Sequence, residues 1–193
     1  MLNCRTVRVV FVLITTLLII QSSTTRATEL KIGQKAPNFE LPTIFGDSTY
    51  NSKEIFPQSA LTVLIFWTSY CPDCWKALKS CHNLAEKVKE MEVHVLGINF
   101  DDEKLATVRG FIKGEKIDFV NLSDFQGKVP RSYKADVYDF STFIVDRKGI
   151  LKYVSYDHPP DVDKILLKEI QKILGEKKEQ KSKELKPDKD RKV

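Results

Sequence analysis

Histidine is scarce in this sequence, which limits the metal sites that it can build. Only 3 of the 193 residues are histidine. His82, His94 and His158 are scattered over a helix pattern, a strand pattern and a proline-bearing loop, and they match no metal-ligand spacing. The sequence therefore predicts no metal site built on histidine.

The sequence also lacks a long apolar run at its N-terminus, where a membrane anchor could begin. The stretch Val9–Ile20 spans roughly 18 Å as a helix, whereas a bilayer core is about 30 Å thick. Arg5 and Arg8 precede it and Ala27 offers a cleavage point, which is typical of an export signal. We expect residues 1–27 to be a signal peptide that directs the chain to the periplasm or another extracytoplasmic compartment. Only an uncleaved Val9–Ile20 would then contact a membrane.

The body of the chain has little net charge. The formal charge of +5 arises at the ends, because residues 1–27 carry three arginines and residues 176–193 carry eight basic against five acidic side chains. The near-neutral remainder excludes charge-driven nucleic-acid binding. The C-terminal segment, without aromatic residues, predicts a disordered charged tail. One globular domain is expected over residues 28–175.

Four cysteines are too few for a disulfide scaffold. Cys4 precedes the predicted cleavage point, so the exported chain would keep Cys71, Cys74 and Cys81. Cys81 lies on the apolar stripe of a helix pattern, which predicts a buried thiol. Cys74 and Cys81 would be roughly 10 Å apart along that helix, beyond the limit of about 7 Å between the Cα atoms of a disulfide. Cys71 and Cys74 can meet.

The motif Cys71-Pro72-Asp73-Cys74 follows the apolar run Leu61–Trp67, which is typical of a buried strand leading into a helix. Unpaired N–H groups and the helix dipole would stabilise a thiolate at Cys71. We therefore predict a thiol–disulfide oxidoreductase in which Cys71 attacks and Cys74 resolves, with no organic cofactor. Its partners would be proteins with disulfides or thiols and an upstream thiol electron donor.

Other uses of the two thiolates remain open. A structural disulfide or half of a zinc site is the simplest alternative. A copper-site assembly or carrier module could hold a soft metal between the thiolates. A peroxiredoxin-like peroxidase is a further alternative because Thr68 stands three residues before Cys71, although Leu64 occupies the position where that class has a proline.

Three aromatic residues flank the motif, and each has two interpretations. Trp67 either shields the thiols or is a core residue at the end of a strand. Tyr70 and Trp75 either form an apolar docking rim or cap the start of the helix.

Strand and helix patterns alternate along the rest of the domain, which predicts an α/β fold. Antiparallel pairing is expected within Phe39–Tyr50 and between Ser141–Val145 and Ile150–Ser155, and Glu92–Phe100 is a second central strand. This order predicts a mixed central sheet with helices on both faces, closed by a C-terminal amphipathic helix.

Four segments resemble the exported thioredoxin-like proteins of the TlpA/ResA type, within the broader AhpC/TSA-redoxin-like superfamily. They are Ile32–Pro42, Phe66–Cys74, Leu96–Asp101 and Thr142–Gly149. The resemblance covers about residues 31–175 and implies a thioredoxin fold with an N-terminal β-hairpin addition. It also implies thiol–disulfide exchange outside the cytoplasm, commonly as a reductant, with Trp67, Cys71, Pro72 and Cys74 in the active-site motif.

Two departures from this family concern proton transfer. Ala77 and Lys79 stand where the family often has a Glu-x-Pro stretch, and Ile65 aligns with the buried acid of thioredoxin. Deprotonation of Cys74 would then depend on water, on Asp73 or on another group.

A third departure concerns substrate binding. The family has a cis-proline just before the strand that begins near Thr142, whereas Phe140 and Ser141 occupy that stretch here. We expect a trans peptide bond, a reshaped loop beside Cys71 and an apolar surface at Phe140, with both residues in contact with substrate.

Overall fold

The computed structural model describes residues 29–101, 105–135, 140–157, 159 and 161–184. The predicted signal peptide, His158 and the last part of the predicted tail lie outside these residues. Within the part of the chain that is described, no helix is both long and apolar enough to span a membrane.

Within the described residues, seven strands and five α-helices follow one another. The strands are β1 (Glu40–Pro42), β2 (Thr49–Asn51), β3 (Leu61–Trp67), β4 (Val93–Asn99), β5 (Val120–Ser123), β6 (Ser141–Asp146) and β7 (Leu151–Ser155). The helices are α1 (Ser52–Gln58), α2 (Pro72–Val88), α3 (Leu105–Gly114), α4 (Lys128–Tyr133) and α5 (Val162–Glu184), with a 3₁₀ turn at Lys89–Met91.

The strands form a central sheet and a small N-terminal hairpin. The central order is β5-β4-β3-β6-β7, with β3 parallel to β4 and antiparallel to β6. Strands β1 and β2 pair antiparallel as a separate sheet, and a bridge between Thr43 and Leu122 joins the hairpin to β5. The predicted fold, a mixed sheet with an N-terminal hairpin, is confirmed.

Strand β3 is central because all seven of its residues are apolar or small enough to be buried on both faces. Ile65 and Trp67 face a core built with α2, α3 and α5. Leu64 and Phe66 face a second core built with α1, α4 and the N-terminal hairpin. The helices therefore cover both faces of the sheet, and the strand delivers the segment after Trp67 to its carboxyl end.

Helix α5 extends beyond the predicted domain end at residue 175. It continues to Glu184 and so includes the first part of the segment predicted to be disordered. Lys, Glu and Gln dominate residues 176–184, and these straight-chain residues have high helix propensity. This propensity is in keeping with a helix that continues past residue 175.

Candidate active site

Cys71 caps the N-terminus of α2. Its backbone is extended, with φ −99° and ψ 104°, and its Sγ atom accepts a hydrogen bond of 3.1 Å from the N–H of Cys74. Pro72 occupies the first turn of the helix, where its missing N–H costs nothing and its ring fixes a helical φ. The sulfur atom of Cys71 therefore lies at the positive end of the helix dipole.

Cys71 and Cys74 are joined by a disulfide, with their Cα atoms 5.2 Å apart. Cys71 is 7% exposed and Cys74 is 0% exposed. Of the two cysteines, the one at the helix cap is thus the one that keeps some exposed surface.

The segment between β3 and α2 is held by two polar residues at the carboxyl end of β4, the terminal Asn99 and the following Asp101. Both carboxylate oxygens of Asp101 accept the backbone N–H of Ser69, at 2.9 and 3.1 Å. Asn99 donates from its side-chain amide to the carbonyl of Trp67 at 3.4 Å. The sequence analysis did not assign these two residues to the site, although polar residues at the carboxyl end of a parallel strand are a signal for one.

Trp67 lies entirely in the core. Its indole Nε1 donates a hydrogen bond of 3.0 Å to the Asn121 side chain, and its ring centroid lies 5.9 Å from that of Phe111. It belongs to the same buried cluster as Cys71 and Cys74. It therefore supports the cysteine pair from the interior rather than from the solvent side.

Tyr70 and Trp75 are the exposed aromatic residues beside the disulfide, at 42% and 40% exposure. Trp75 donates from Nε1 to the carbonyl of Ser69 at 3.2 Å, and its ring centroid lies 4.7 Å from that of Phe111, with the ring planes tilted by 38°. Both interpretations of Trp75 are compatible with this geometry, because the ring ties down the start of α2 and still presents apolar surface.

Asp73 and Lys76 form an exposed ion pair next to Cys71. The Lys76 ammonium lies 3.3 Å from the Asp73 carboxylate, and both side chains are more than half exposed. Ile65, at the position of thioredoxin's buried acid, is fully buried. Ile65 therefore gives the cysteines an apolar neighbour on the interior side, and Asp73 gives them a solvated carboxylate on the surface.

Phe140 and Ser141 are both fully buried. The expectation that Phe140 adds an apolar surface is wrong, because its ring packs in the same core as the cysteines. The Phe140–Ser141 peptide bond is trans, as no bond between described residues is cis. Ser141 pairs with Phe66 across the sheet, and its buried Oγ has no hydrogen-bond partner among the described residues.

Cys81 is a free, fully buried thiol on the inner face of α2, as the register predicted. Burial, with a smaller contribution from the negative charge of Asp163, raises its pKa far above the usual value. Asp163 lies in the first turn of α5. It accepts hydrogen bonds from Ser80 at 2.7 Å and from Lys87 at 3.1 Å, both on α2. Cys81 is therefore kept protonated and away from the reactive pair.

The two histidines that the structure describes lie on different elements, His82 on α2 and His94 on β4. His82 lies 2.9 Å from the Asp118 carboxylate, and His94 is an exposed residue of β4. Across the described ranges, no group of three or more His, Cys, Asp or Glu side chains is arranged to hold a metal ion.

Comparison with known proteins identifies the relatives of this chain. Residues 32–154 match the AhpC/TSA family. The thiol:disulfide interchange protein DsbE of Pseudomonas fluorescens is 29% identical over 126 residues, which are 64% of this chain and 66% of the relative. The thiol-disulfide oxidoreductase ResA of Bacillus thuringiensis is 27% identical over 129 residues, covering 65% of this chain and 69% of the relative. The chain thus spans about two thirds of the length of these relatives.

A solved structure confirms the fold. The crystal structure of a putative DsbE from Chlorobium tepidum superposes with a TM-score of 0.65 at 24% identity, over 74% of this chain and 97% of the other. The predicted resemblance to thioredoxin-like proteins of the TlpA/ResA type is confirmed by the matches to the AhpC/TSA family and to ResA and DsbE.

Proposed function

The chain belongs to the AhpC/TSA family, and we propose that it works outside the cytoplasm as a reductant of disulfides in partner proteins. The coarser prediction, a thiol–disulfide oxidoreductase, is confirmed by the family match and by the names of the relatives. The direction of the reaction, the compartment and the partners are the proposed part.

The observation that carries the proposal is the asymmetry of the Cys71–Cys74 disulfide. Cys71 lies at the helix N-terminus and keeps 7% of its surface exposed, whereas Cys74 lies one turn further in and is fully buried. A thiolate is stabilised at the first position by the N–H of Cys74 and by the helix dipole. Cys71 is therefore suited to attack the disulfide of a partner protein. Cys74 is suited to attack the Cys71 sulfur in the mixed disulfide that results.

The reaction proceeds in two exchanges. The Cys71 thiolate attacks one sulfur of the partner's disulfide, and the other partner sulfur leaves as a thiolate that takes up a proton. Cys74 then loses its proton and attacks the Cys71 sulfur, which re-forms the internal disulfide and releases the partner's second thiol. The partner has gained two electrons, and an upstream thiol donor must return them to Cys71 and Cys74. Since electrons move only between sulfur atoms, the proposed reaction needs no organic cofactor.

The charges around Cys71 support the reducing direction. Asp73 follows Cys71 by two residues, and Lys76 pairs with Asp73 at 3.3 Å. A neighbouring carboxylate disfavours a second negative charge on the Cys71 sulfur. A reduced form whose thiolate is less stabilised gives up its electrons more readily.

The aromatic surface beside Cys71 supports a protein partner. Tyr70 and Trp75 present apolar area next to Cys71, and exposed apolar patches commonly mark protein-binding sites. The extracytoplasmic compartment is inferred from residues 1–27, whose sequence has the features of an export signal.

Trapping of the mixed disulfide tests the proposal. The Cys74→Ser variant lacks the resolving thiol, so partners should accumulate on Cys71 as bands that disappear on reduction. Cys71→Ser is the matched control and should trap none. Equal trapping by the two variants would contradict the assignment of the attacking thiol.

A further inference from the structure

Three carboxylates are buried in the part of the chain that the structure describes. They belong to Asp101, Asp124 and Asp163, which are 5%, 5% and 8% exposed. Burying a carboxylate costs free energy unless the group is paired or hydrogen-bonded, so the surroundings of each one indicate what it does. Asp163 lies 3.1 Å from the Lys87 ammonium, so it belongs to an ion pair between α5 and α2.

Asp101 and Asp124 follow neighbouring strands but lie on opposite faces of the central sheet. On β4, Gly97 lies against Trp67 on the face that packs on α2. Side chains alternate along a strand, so Asp101, four residues further along, continues that face. Asp124 accepts the N–H of Val129 at 2.6 Å, and Val129 belongs to the core on the other face of the sheet. Of these two acids, Asp101 is therefore the one on the face that carries the cysteines.

Asp101 bonds to the segment that leads into Cys71. Both of its carboxylate oxygens accept the backbone N–H of Ser69, at 2.9 and 3.1 Å. Two accepting oxygens are the pattern of an ionised carboxylate, because a protonated oxygen needs an acceptor of its own. The carbonyl of Ser69 accepts the indole N–H of Trp75 at 3.2 Å. Ser69 is thus held from the end of β4 on one side and from α2 on the other.

The Asp101 carboxylate is close enough to Cys71 to affect its charge. The two residues of chain from Ser69 to Cys71 extend to about 7 Å at most. With the hydrogen bond of 2.9 Å added, the carboxylate lies within about 10 Å of the Cys71 backbone nitrogen. At an effective dielectric constant near 20, a unit charge at about 10 Å changes an acid dissociation constant roughly tenfold.

Little in the described part of the molecule neutralises the charge of Asp101. Its two oxygens share one described donor, the N–H of Ser69, and no lysine or arginine among the described residues lies within ion-pair distance. The other charged side chains beside the motif are Asp73 and Lys76, which form an exposed pair. Solvent and salt screen an exposed pair more strongly than a buried charge. Asp101 is therefore the less screened negative charge near Cys71.

We propose that Asp101 is a positioning residue of the dithiol site: its carboxylate holds the Ser69 segment, and its negative charge disfavours the Cys71 thiolate. This inference rests on the proposed attack by Cys71 and adds the residue that sets the strength of the attacking group. A thiolate that is less stabilised makes the reduced protein a better electron donor. Asp101 thereby favours the reducing direction.

The pH profile of Cys71 alkylation in the reduced full chain tests the proposal. Asp101→Asn removes the charge and keeps an oxygen that can accept the N–H of Ser69. We expect the acid dissociation constant of the Cys71 thiol to rise about tenfold, so the midpoint of the profile moves to lower pH. The equilibrium with glutathione should shift toward the reduced protein.

Two further variants separate charge from position. Asp124→Asn is the matched control, because Asp124 is equally buried and also accepts a backbone N–H, but on the opposite face of the sheet. It should change the Cys71 constant by less than about threefold. Asp101→Glu keeps the charge and should also stay within about threefold of the wild-type constant. Equal shifts in the two Asn variants would assign the effect to net charge and overturn the proposal, as would an unshifted profile in Asp101→Asn.

Folding is measured in the same samples, because the buried Cys81 should stay unlabelled in every folded variant. Asp101→Ser also removes the charge and takes the place of Asp101→Asn if that variant does not fold. Failure of both neutral variants to fold would overturn the proposal, since the carboxylate would then be required for the fold.

The proposed function stands or falls separately. Partners trapped on Cys71 by the Cys74→Ser variant, together with an unshifted profile in Asp101→Asn, would keep the exchange reaction and reject the role of Asp101. A shifted profile without trapped partners would keep the effect of Asp101 on Cys71 and reject the protein substrates.

Discussion

The indole Nε1 of Trp67 donates a 3.0 Å hydrogen bond to the side-chain oxygen of Asn121, which lies 54 residues away in the chain. Gly97 lies between the two, and a Cβ atom there would overlap the Asn121 carboxamide. Asn121 also donates to the carbonyl of Phe119 at 2.9 Å. Because Gly97 has no side chain, β4 leaves room for the hydrogen bond between Asn121 and Trp67. That hydrogen bond holds the indole ring in the core behind the cysteine pair.

Asn121→Ala should lower the free energy of unfolding by about 1–3 kcal/mol, because the buried Trp67 N–H loses its acceptor. Urea denaturation measures this loss. Asn83→Ala, on the exposed face of α2, is the control and should change stability by less than about 0.5 kcal/mol. Equal stability of the two variants would show that the hydrogen bond contributes nothing.

Alkylation of the reduced native protein should label Cys71 first and leave Cys81 unlabelled. The reason is that Cys81 is fully buried and its raised pKa keeps it protonated. Peptide mass spectrometry after a short reaction with iodoacetamide measures the labelling. Cys81 should become reactive only in denaturant, and rapid native labelling would contradict the helix register.

Stability of the oxidised protein should fall as the pH rises above about 9. The pKa of Cys81 is raised above its ordinary value of 9.0 in the folded state, so the unfolded chain releases this proton more easily. The contribution of Cys81 to the free energy of unfolding is therefore complete below about pH 9. Above that pH it decreases by about 1.4 kcal/mol per pH unit. Urea denaturation between pH 8 and pH 10 measures the slope. Cys81→Val should have a shallower slope, and an unchanged slope would assign the effect to other groups.

Asp73→Asn should raise the reduction potential of the disulfide by roughly 5–20 mV, because removing an exposed carboxylate stabilises the Cys71 thiolate modestly. Equilibration with glutathione buffers measures the potential. Glu86→Gln, further along α2, is the matched control and should leave the potential unchanged. A wild-type potential near about −120 mV, which is typical of a strong oxidant, would contradict the reducing direction.

Phe140→Pro should destabilise the protein rather than create a faster enzyme. The Phe140 ring is fully buried, and its loss leaves a cavity that costs about 3 kcal/mol or more. Thermal unfolding measures this loss, and the variant should reduce insulin no faster than the wild-type protein does. A stable variant with faster insulin reduction would show that the loop tolerates proline.

The parts of the fold that could be predicted depend on local pattern. Leu61–Trp67 was predicted with its final bounds because the run is continuously apolar, and the turn after Asp146 marked the pair β6–β7. Helices α1 and α4 were not predicted. Each is short and contains a proline, Pro57 or Pro130, so packing against the sheet rather than helix propensity stabilises it.

The candidate site divides in the same way. The two cysteines and the burial of Cys81 follow from spacing along one helix. The contacts of Asp101 with Ser69 and of Asn121 with Trp67 join residues that are distant in the chain, and no local pattern contains them. The burial of Phe140 depends on the neighbouring helices for the same reason.

The packing of α5 on α2 completes the burial of Cys81 only after the C-terminal part of the chain has been synthesised. The chain emerges N-terminus first, so Cys71, Cys74 and Cys81 appear long before Asp163 can bond to Ser80. In that interval all three thiols are exposed to oxidants and to one another. Early formation of α2 would prevent a wrong bridge, because its rigid rise keeps Cys81 two turns away from Cys74. A helix formed at that stage would thus limit wrong pairing before the core is complete.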